Sequence, residues 1–300
     1  MDTVTSRDGT TIAFDRAGQG PTLIIVDGAL GHRAAPFETA RLAALPLLQE
    51  HLTVIYYDRR GRGDSTDTKP YALEREIEDI EALIDSAGGS AFLFGISSGA
   101  ALALEAALAL GDKVKGLALY EAPYDDDEEA RRAWREYRSR LDALLAADRR
   151  GEAVALFMLL VGMPAEALDG VRQHPMWPMF EAVAPTLAYD AAVMGEEASV
   201  PVERAAALRV PTLVMDGGAT EWPFMRITAD ALAAAIPNAR RRTLEGQTHE
   251  VAAEAIAPAL IAFFRPEVTV KGDGREEHGE TEGDDDTRRR AEVPGEPQVA

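Results

Sequence analysis

One serine in this chain stands where a serine can act as a nucleophile. Ser97 lies in Gly95-Ile96-Ser97-Ser98-Gly99, between the apolar run Ala91–Phe94 and the small-residue stretch Ser98–Leu110. A G-x-S-x-G pentapeptide between a strand and a helix makes a tight turn. That turn strains the serine backbone and lifts its hydroxyl above the sheet. The flanking glycines let the backbones approach closely. The N–H of Ser98, at a helix start, is placed to donate to a developing oxyanion. Ser98 is the competing hydroxyl, but only Ser97 has glycine two residues away on both sides.

A serine hydroxyl is a weak nucleophile until a base takes its proton. The chain has five histidines. His278 lies in an acidic terminal stretch and His174 in a segment without strand character. His32 and His51 precede the serine turn. His249 closes Leu244-Glu245-Gly246-Gln247-Thr248-His249, after the last predicted strand and before the final helix. Loops that follow parallel strands gather at the C-terminal edge of a sheet, the edge that also carries the serine turn. His249 is therefore the candidate base, and His32 an entrance residue at the same edge.

The elements that must position these residues are readable from periodicity. Val4–Ser6 and Thr10–Phe14 flank Asp8-Gly9 and read as a hairpin. Strands at Thr22–Val26, Leu52–Tyr57, Ala91–Phe94 and Val114–Tyr120 then alternate with helices. The helices lie at Pro36–Gln49, with Leu42, Leu45 and Leu48 on one face, at Leu73–Ser86, with Ile77, Ile80 and Ile84, and at Ser98–Leu110. The alternation resumes at Val210–Asp216, Met225–Ala235, Arg240–Leu244 and Val251–Phe264. Runs apolar on both faces, alternating with helices, predict an α/β fold with a mostly parallel sheet covered on both sides. Residues 124–205 interrupt the alternation without a clear strand and read as a helical cap. The core is then residues 1–123 and 206–265. Residues 266–300 carry eleven Asp and Glu against five Lys and Arg, with no Phe, Leu, Ile, Trp, Tyr or Met. Such a stretch cannot offset its ordering entropy and is expected to be a disordered acidic tail.

The formal net charge of −20 argues against nucleic acid or an anionic membrane surface as partner, since both need clustered Lys and Arg. With no cysteine, disulfides, thiolate metal sites and a cysteine nucleophile are excluded. Met1-Asp2-Thr3-Val4 shows no signal-peptide pattern, and no run reaches the ~18 apolar residues of a membrane span. Cytoplasmic residence is the expectation. No phosphate-cradling loop or His/Asp metal cluster is visible, so no cofactor and no metal are expected.

Taken in chain order, these pieces resemble the α/β-hydrolase superfamily over roughly residues 1–265. The resemblance rests on Asp27-Gly28-Ala29-Leu30-Gly31, on Tyr57-Asp58-Arg59-Arg60-Gly61-Arg62-Gly63-Asp64-Ser65, on the Ser97 turn, and on Gly246-Gln247-Thr248-His249. The family usually has His-Gly where this chain has Asp27-Gly28. The resemblance implies an oxyanion hole from backbone donors near Gly28 and Ala29 together with Ser98. Arg62-Gly63-Asp64-Ser65 also spells an adhesion motif, which is discounted as part of the family's structural turn. The usual acid position, after Thr212–Asp216, holds Thr220 or Glu221 according to which glycine anchors the loop. Some branches, among them zearalenone-lactone hydrolases, instead place a glutamate where Glu121 stands, in Glu121-Ala122-Pro123. Glu121 is the favoured acid and Glu221 the alternative.

Met176-Trp177-Pro178-Met179-Phe180 suggests an apolar wall beside the nucleophile. Leu30, His32, Trp177, Met179 and Trp222 are the candidate pocket residues. The expected reaction is hydrolysis of an ester or lactone of a small apolar molecule through an acyl-serine. Carbon–carbon hydrolases, acyltransferases and perhydrolases share the triad. Dehalogenase and epoxide-hydrolase chemistry is disfavoured, because position 97 is Ser rather than Asp. A ligand-binding protein on the same fold is the alternative of a different class.

Overall fold

The Asp8-Gly9 turn joins β1 (Asp2–Thr5) to β2 (Thr11–Ala17) in the computed structural model, which describes residues 1–34 and 40–267. Gly9 supplies the positive φ of 89° that the turn requires, and Asp8 Oδ1 accepts from the N–H of Thr10. Six more strands follow: β3 (Thr22–Val26), β4 (Thr53–Tyr57), β5 (Ala91–Ile96), β6 (Val114–Tyr120), β7 (Thr212–Gly217) and β8 (Ala239–Leu244). They form one eight-stranded sheet in the order β1-β2-β4-β3-β5-β6-β7-β8. The pairs β1–β2 and β2–β4 are antiparallel, and all other pairs are parallel.

The strands read as continuous apolar runs because both faces are covered. In β3, Ile24 and Val26 enter a core with the helices α2 (Leu73–Ser86), α3 (Ser98–Leu110) and α10 (Pro223–Ala235). Leu23 and Ile25 point the other way, into a second core with α1 (Ala40–Gln49) and α11 (Ala253–Phe264). Alternate residues of a strand face opposite sides, so one five-residue strand supplies both cores. Burying each such side chain contributes roughly 1.5–3 kcal/mol. The part of the predicted first helix before Ala40, and the predicted tail beyond Glu267, lie outside the described residues.

Between β6 and β7 the described chain is helical without strands: α4 (Glu128–Ala146), α5 (Arg150–Leu160), α6 (Leu168–Arg172), α7 (Trp177–Val183), α8 (Leu187–Met194) and α9 (Val202–Ala205). Asp127 caps α4, accepting from the N–H groups of Glu129 and Ala130. Tyr137 and Leu141 of α4, Leu156 of α5, Val183 of α7 and Leu187 of α8 form a core of their own that also takes in Leu30 from the loop after β3. The expected boundaries at 124 and 205 do not mark a break in packing. Tyr124, Val193, Met194, Ala198, Val200 and Ala205 all belong to the main core beside α3. The described residues accordingly form one compact unit.

Strand order sets where a site can form. From β3 the chain crosses to β4 on one side and then to β5 on the other. A crevice therefore opens at the C-terminal ends of β3 and β5, where connections leave in opposite directions.

Candidate active site

Ser97 occupies the end of β5 with φ 56° and ψ −135°, a conformation that side-chain-bearing residues rarely adopt. The turn closes because its glycines lack side chains. A Cβ at Gly95 would fall 2.4 Å from the carbonyl oxygen of Gly99, and one at Gly99 would fall 2.2 Å from that of Val26. The N–H of Ser97 is anchored to the Tyr120 carbonyl of β6 at 3.0 Å. Ser97 is half-buried, so its hydroxyl is reachable. Ser98 is buried, and its hydroxyl donates to Asp190 Oδ1 at 2.8 Å. Of the two adjacent serines, Ser97 is the one left open for chemistry.

Glu121 follows β6 directly, with φ 47° and 1% exposure. Its N–H continues the ladder to the Met215 carbonyl of β7 at 3.0 Å. One carboxylate oxygen, Oε1, accepts from the N–H of Gly217 at 2.9 Å. The other, Oε2, lies 2.7 Å from His249 Nδ1. An acceptor-only carboxylate there keeps the ring proton on Nδ1 and leaves Nε2 as the basic nitrogen. Glu221, the alternative acid, is exposed in the loop before α10, and the Nδ1 side of His249 is taken by Glu121.

The histidine loop is pinned from below. Tyr120 donates its hydroxyl to the Thr248 carbonyl at 2.5 Å, and the N–H of Ala219 donates to the Gln247 carbonyl at 2.8 Å. A Cβ at Gly217 would stand 2.3 Å from that Gln247 oxygen, so glycine is what lets the loop settle onto the end of β7. Trp222 packs edge-on against the His249 ring, with centroids 5.4 Å apart and planes at 73°. Its indole also faces Gly162, just past α5, where a Cβ would sit 3.6 Å away.

The loop after β3 brings its backbone against the nucleophile. A Cβ on Gly28 would be 3.0 Å from Ser97 Cβ and 3.5 Å from Ser97 Oγ. The N–H of Gly28 is not directed to that space: it donates to Asp27 Oδ1 at 2.8 Å, while Asp27 Oδ2 accepts from the Tyr56 hydroxyl at 2.7 Å. This corrects the expectation of Gly28 as a donor, because the aspartate that replaces the usual histidine consumes its proton. The N–H groups of Ala29 and Ser98 donate to no acceptor among the described residues.

Residues 28–262 match the model of the Alpha/beta hydrolase family. The chain belongs to the alpha/beta hydrolase family. A crystal structure of an alpha/beta hydrolase from Sphaerobacter thermophilus is 52% identical with a TM-score of 0.77, over 88% of this chain and all of that one (100%). A hydrolase from Pseudomonas aeruginosa is 25% identical, with a TM-score of 0.67 over 88% of this chain and 98% of that chain. A thermophilic esterase from Thermogutta terrifontis, with malate bound, shares the fold at 23% identity and a TM-score of 0.64, over 88% of this chain and 98% of that chain.

In this alpha/beta hydrolase the remaining pocket candidates fall in different places. Leu30, at φ 62°, is buried among cap residues and ties the loop after β3 to the cap. Trp222 lies against His249, as described. Trp177 does not wall the nucleophile. It is buried inside the cap with Val154, Met158 and Leu168, its indole N–H donates to Glu181 Oε1 at 2.9 Å, and it borders a cap cleft of about 490 Å³ with Arg149 and Arg172. Met179 is half-buried on the same helix. His32 is buried rather than at an entrance. Burial lowers its pKa against the pull of Asp58, and its Nδ1 has no partner among the described residues. Among those residues no group of three or more His, Asp or Glu is placed to hold a metal ion, and no helix is long and apolar enough to cross a membrane.

Sequence reasoning missed a buried ionic cluster beneath the site. Arg59 pairs with both oxygens of Glu76, at 2.7 and 2.8 Å, and donates to Asp190 Oδ1 at 2.6 Å. Arg62 donates to Asp190 Oδ2 at 2.6 Å and to Thr186 Oγ1 at 3.0 Å. Burial works to raise the Asp190 pKa, but Arg59 and Arg62 outweigh it and hold the carboxyl below its ordinary value. Arg62 is 1% exposed, so the Arg-Gly-Asp tripeptide is not displayed. One signal was legible: Asp190 is the lone charge in the apolar helix Leu187–Met194.

Proposed function

We propose that this alpha/beta hydrolase cleaves a carboxylic ester or lactone of a small apolar molecule through an acyl-serine intermediate on Ser97. The observation that carries the proposal is the buried Glu121 carboxylate 2.7 Å from His249 Nδ1, on the sheet edge where Ser97 stands strained and open. A charged buried group held in that geometry, with its second oxygen occupied by Gly217, is what an imidazole base needs from a third partner.

In the first half-reaction Ser97 Oγ attacks the substrate carbonyl as His249 Nε2 takes its proton. The N–H groups of Ala29 and Ser98 receive the charge on the carbonyl oxygen. His249 then protonates the leaving alkoxide, which departs as the alcohol from an ester and stays on the acyl group as a hydroxyl from a lactone. In the second half-reaction water adds to the acyl-enzyme with His249 again as base, and the acid is released with Ser97 restored. Glu121 stabilises the imidazolium formed in each half.

The surroundings favour an apolar group on the substrate. Ala29 and Trp222 are half-buried apolar residues beside Ser97 and His249, and both lean on the cap, through its apolar core and through Gly162. The test is hydrolysis of a panel of aryl esters and lactones of graded size by wild type and Ser97→Ala. Turnover by the wild type with an initial burst of alcohol, abolished in Ser97→Ala, is expected. A folded wild type that hydrolyses none of them contradicts the proposal.

A further inference from the structure

The cluster of Arg59, Arg62, Glu76 and Asp190 reaches the loop after β3 that lies against Ser97, and the side chain of Ser98. Arg62 Nη1 donates to the Gly28 carbonyl at 2.5 Å and to the Gly31 carbonyl at 3.2 Å. Arg59 Nη1 donates to the Asp27 carbonyl at 3.2 Å. The Gly28 carbonyl and the Ala29 N–H belong to one planar trans peptide and point in opposite directions. Gripping that oxygen from the Arg62 side fixes the Ala29 N–H on the other side. A buried cation on the oxygen also polarises the unit and makes its N–H a stronger donor, since no water screens the charge.

The residue that carries the second N–H, Ser98, is tied to the same cluster through its side chain. Asp190 takes Arg62 on Oδ2, and on Oδ1 it takes Arg59 and the Ser98 hydroxyl, at 2.6, 2.6 and 2.8 Å. Asp190 stands on α8, in the chain between β6 and β7, so a cap helix is joined by a direct hydrogen bond to the residue after Ser97. The four ionic groups balance two against two, which allows the cluster to be buried. None of them has a role in the hydrolytic steps above.

We infer that Arg62 and Asp190 are positioning residues for the reaction at Ser97: Arg62 orients and polarises the peptide that carries the Ala29 N–H, and Asp190 fixes Ser98 through its hydroxyl, so that both N–H groups receive the charge on the substrate's carbonyl oxygen. The inference rests on Ser97 acting as the nucleophile. It makes α8 part of the oxyanion apparatus, so the cap contributes to rate as well as to enclosure.

The test is the charge-balanced double variant Arg62→Met with Asp190→Asn, beside Ser98→Ala, which removes one hydrogen bond to Asp190 and leaves every ion pair in place. Rates with an aryl ester are expressed per Ser97 titrated by a fluorophosphonate, so misfolded protein does not count. Affinity for a phenylboronic acid, which forms a tetrahedral adduct on serine, is measured in parallel. The double variant is expected to lose about 10- to 100-fold in kcat, with KM within about twofold and a matching loss of boronate affinity. Ser98→Ala is expected to lose about 3- to 10-fold in kcat at unchanged KM. A merely structural role would lower the titratable fraction without splitting kcat from KM. Should the double variant fail to fold, Ser98→Ala decides. Wild-type kcat and boronate affinity in the folded variants overturn the inference while leaving Ser97 as nucleophile. A wild type that neither reacts with the phosphonate nor binds the boronate overturns both.

Discussion

Glu121 and His249 are 128 residues apart in sequence and meet at 2.7 Å across the ends of β6 and β8. The strand between them, β7, is where this fold more commonly carries its acid, yet its loop offers only the Gly217 N–H to Glu121 and an exposed Glu221. Glu121→Gln is therefore expected to lower kcat by about 10³- to 10⁴-fold, as loss of the triad acid does elsewhere. Glu221→Gln should stay within about twofold, an ordinary surface substitution. Steady-state kinetics of the two variants side by side decides, and the reverse pattern would move the acid to position 221.

Tyr120 offers a second test, of the histidine loop rather than the histidine. Its hydroxyl is the donor to the Thr248 carbonyl, one residue before the base. Tyr120→Phe should cost about 0.5–1.5 kcal/mol in urea unfolding. It should also lower kcat more than it raises KM, because the imidazole loses its anchor. Unchanged stability and kcat would show that the loop is held by its other contacts alone.

Gly28→Ala adds a methyl group 3.0 Å from Ser97 Cβ and 3.2 Å from the Ile96 carbonyl, at a point with no slack. The loop must shift, and a displaced donor is expected to reduce kcat/KM by about tenfold or more. Gly170→Ala in α6 is the control. Nothing lies within 4 Å of its added methyl group, and its φ needs no glycine. That variant should keep wild-type activity and gain about 0.5–1 kcal/mol. Equal activity in both variants would contradict the close approach at Gly28.

The parallel sheet was legible because its apolar runs alternate with helical spacing, and Ser97 and His249 stood out as candidates on local signals: glycines two residues either side of Ser97 and a loop after the last strand. Glu121 was favoured over Glu221 mainly on the family resemblance, because a carboxylate's partner is set by strand order, which is not written in either residue's neighbours. Trp177 was misplaced for a related reason. An aromatic cluster announces burial, and only packing reveals that its core lies within the cap. The spent Gly28 proton follows from Asp27, whose consequence appears only once its carboxylate folds back onto the next N–H.

Stability should depend on pH through Arg60, which is fully buried between two aspartates. It donates to both oxygens of Asp79, at 2.8 and 2.7 Å, and to Asp8 at 2.9 Å. Burial pushes Asp79 up to about 6, despite Arg60, from an ordinary 3.8. Burial also works upward on Asp8, but hydrogen bonds from Arg60 and Thr10 bring it down to about 2. A raised acid binds its proton more tightly when folded, so Asp79 should make stability fall as pH rises from about 4 to about 6. Asp8 has the opposite sign: its contribution is present above about pH 4 and is lost as pH falls toward 2. Melting temperature against pH for wild type and Asp79→Asn checks this. The variant should lack the decline between pH 4 and 6 and lie nearest the wild type below about pH 4, where Asp79 is itself uncharged. An identical slope in both proteins would contradict it.

The central claim is that Ser97 is an activated nucleophile. Fluorophosphonate labelling of wild type beside Ser97→Ala, with the modified peptide located by mass spectrometry, tests it most directly. One adduct on the peptide containing Ser97, absent from Ser97→Ala and much slowed in Glu121→Gln, is the predicted result. A folded wild type that takes no label, or takes it on another residue, would contradict the claim.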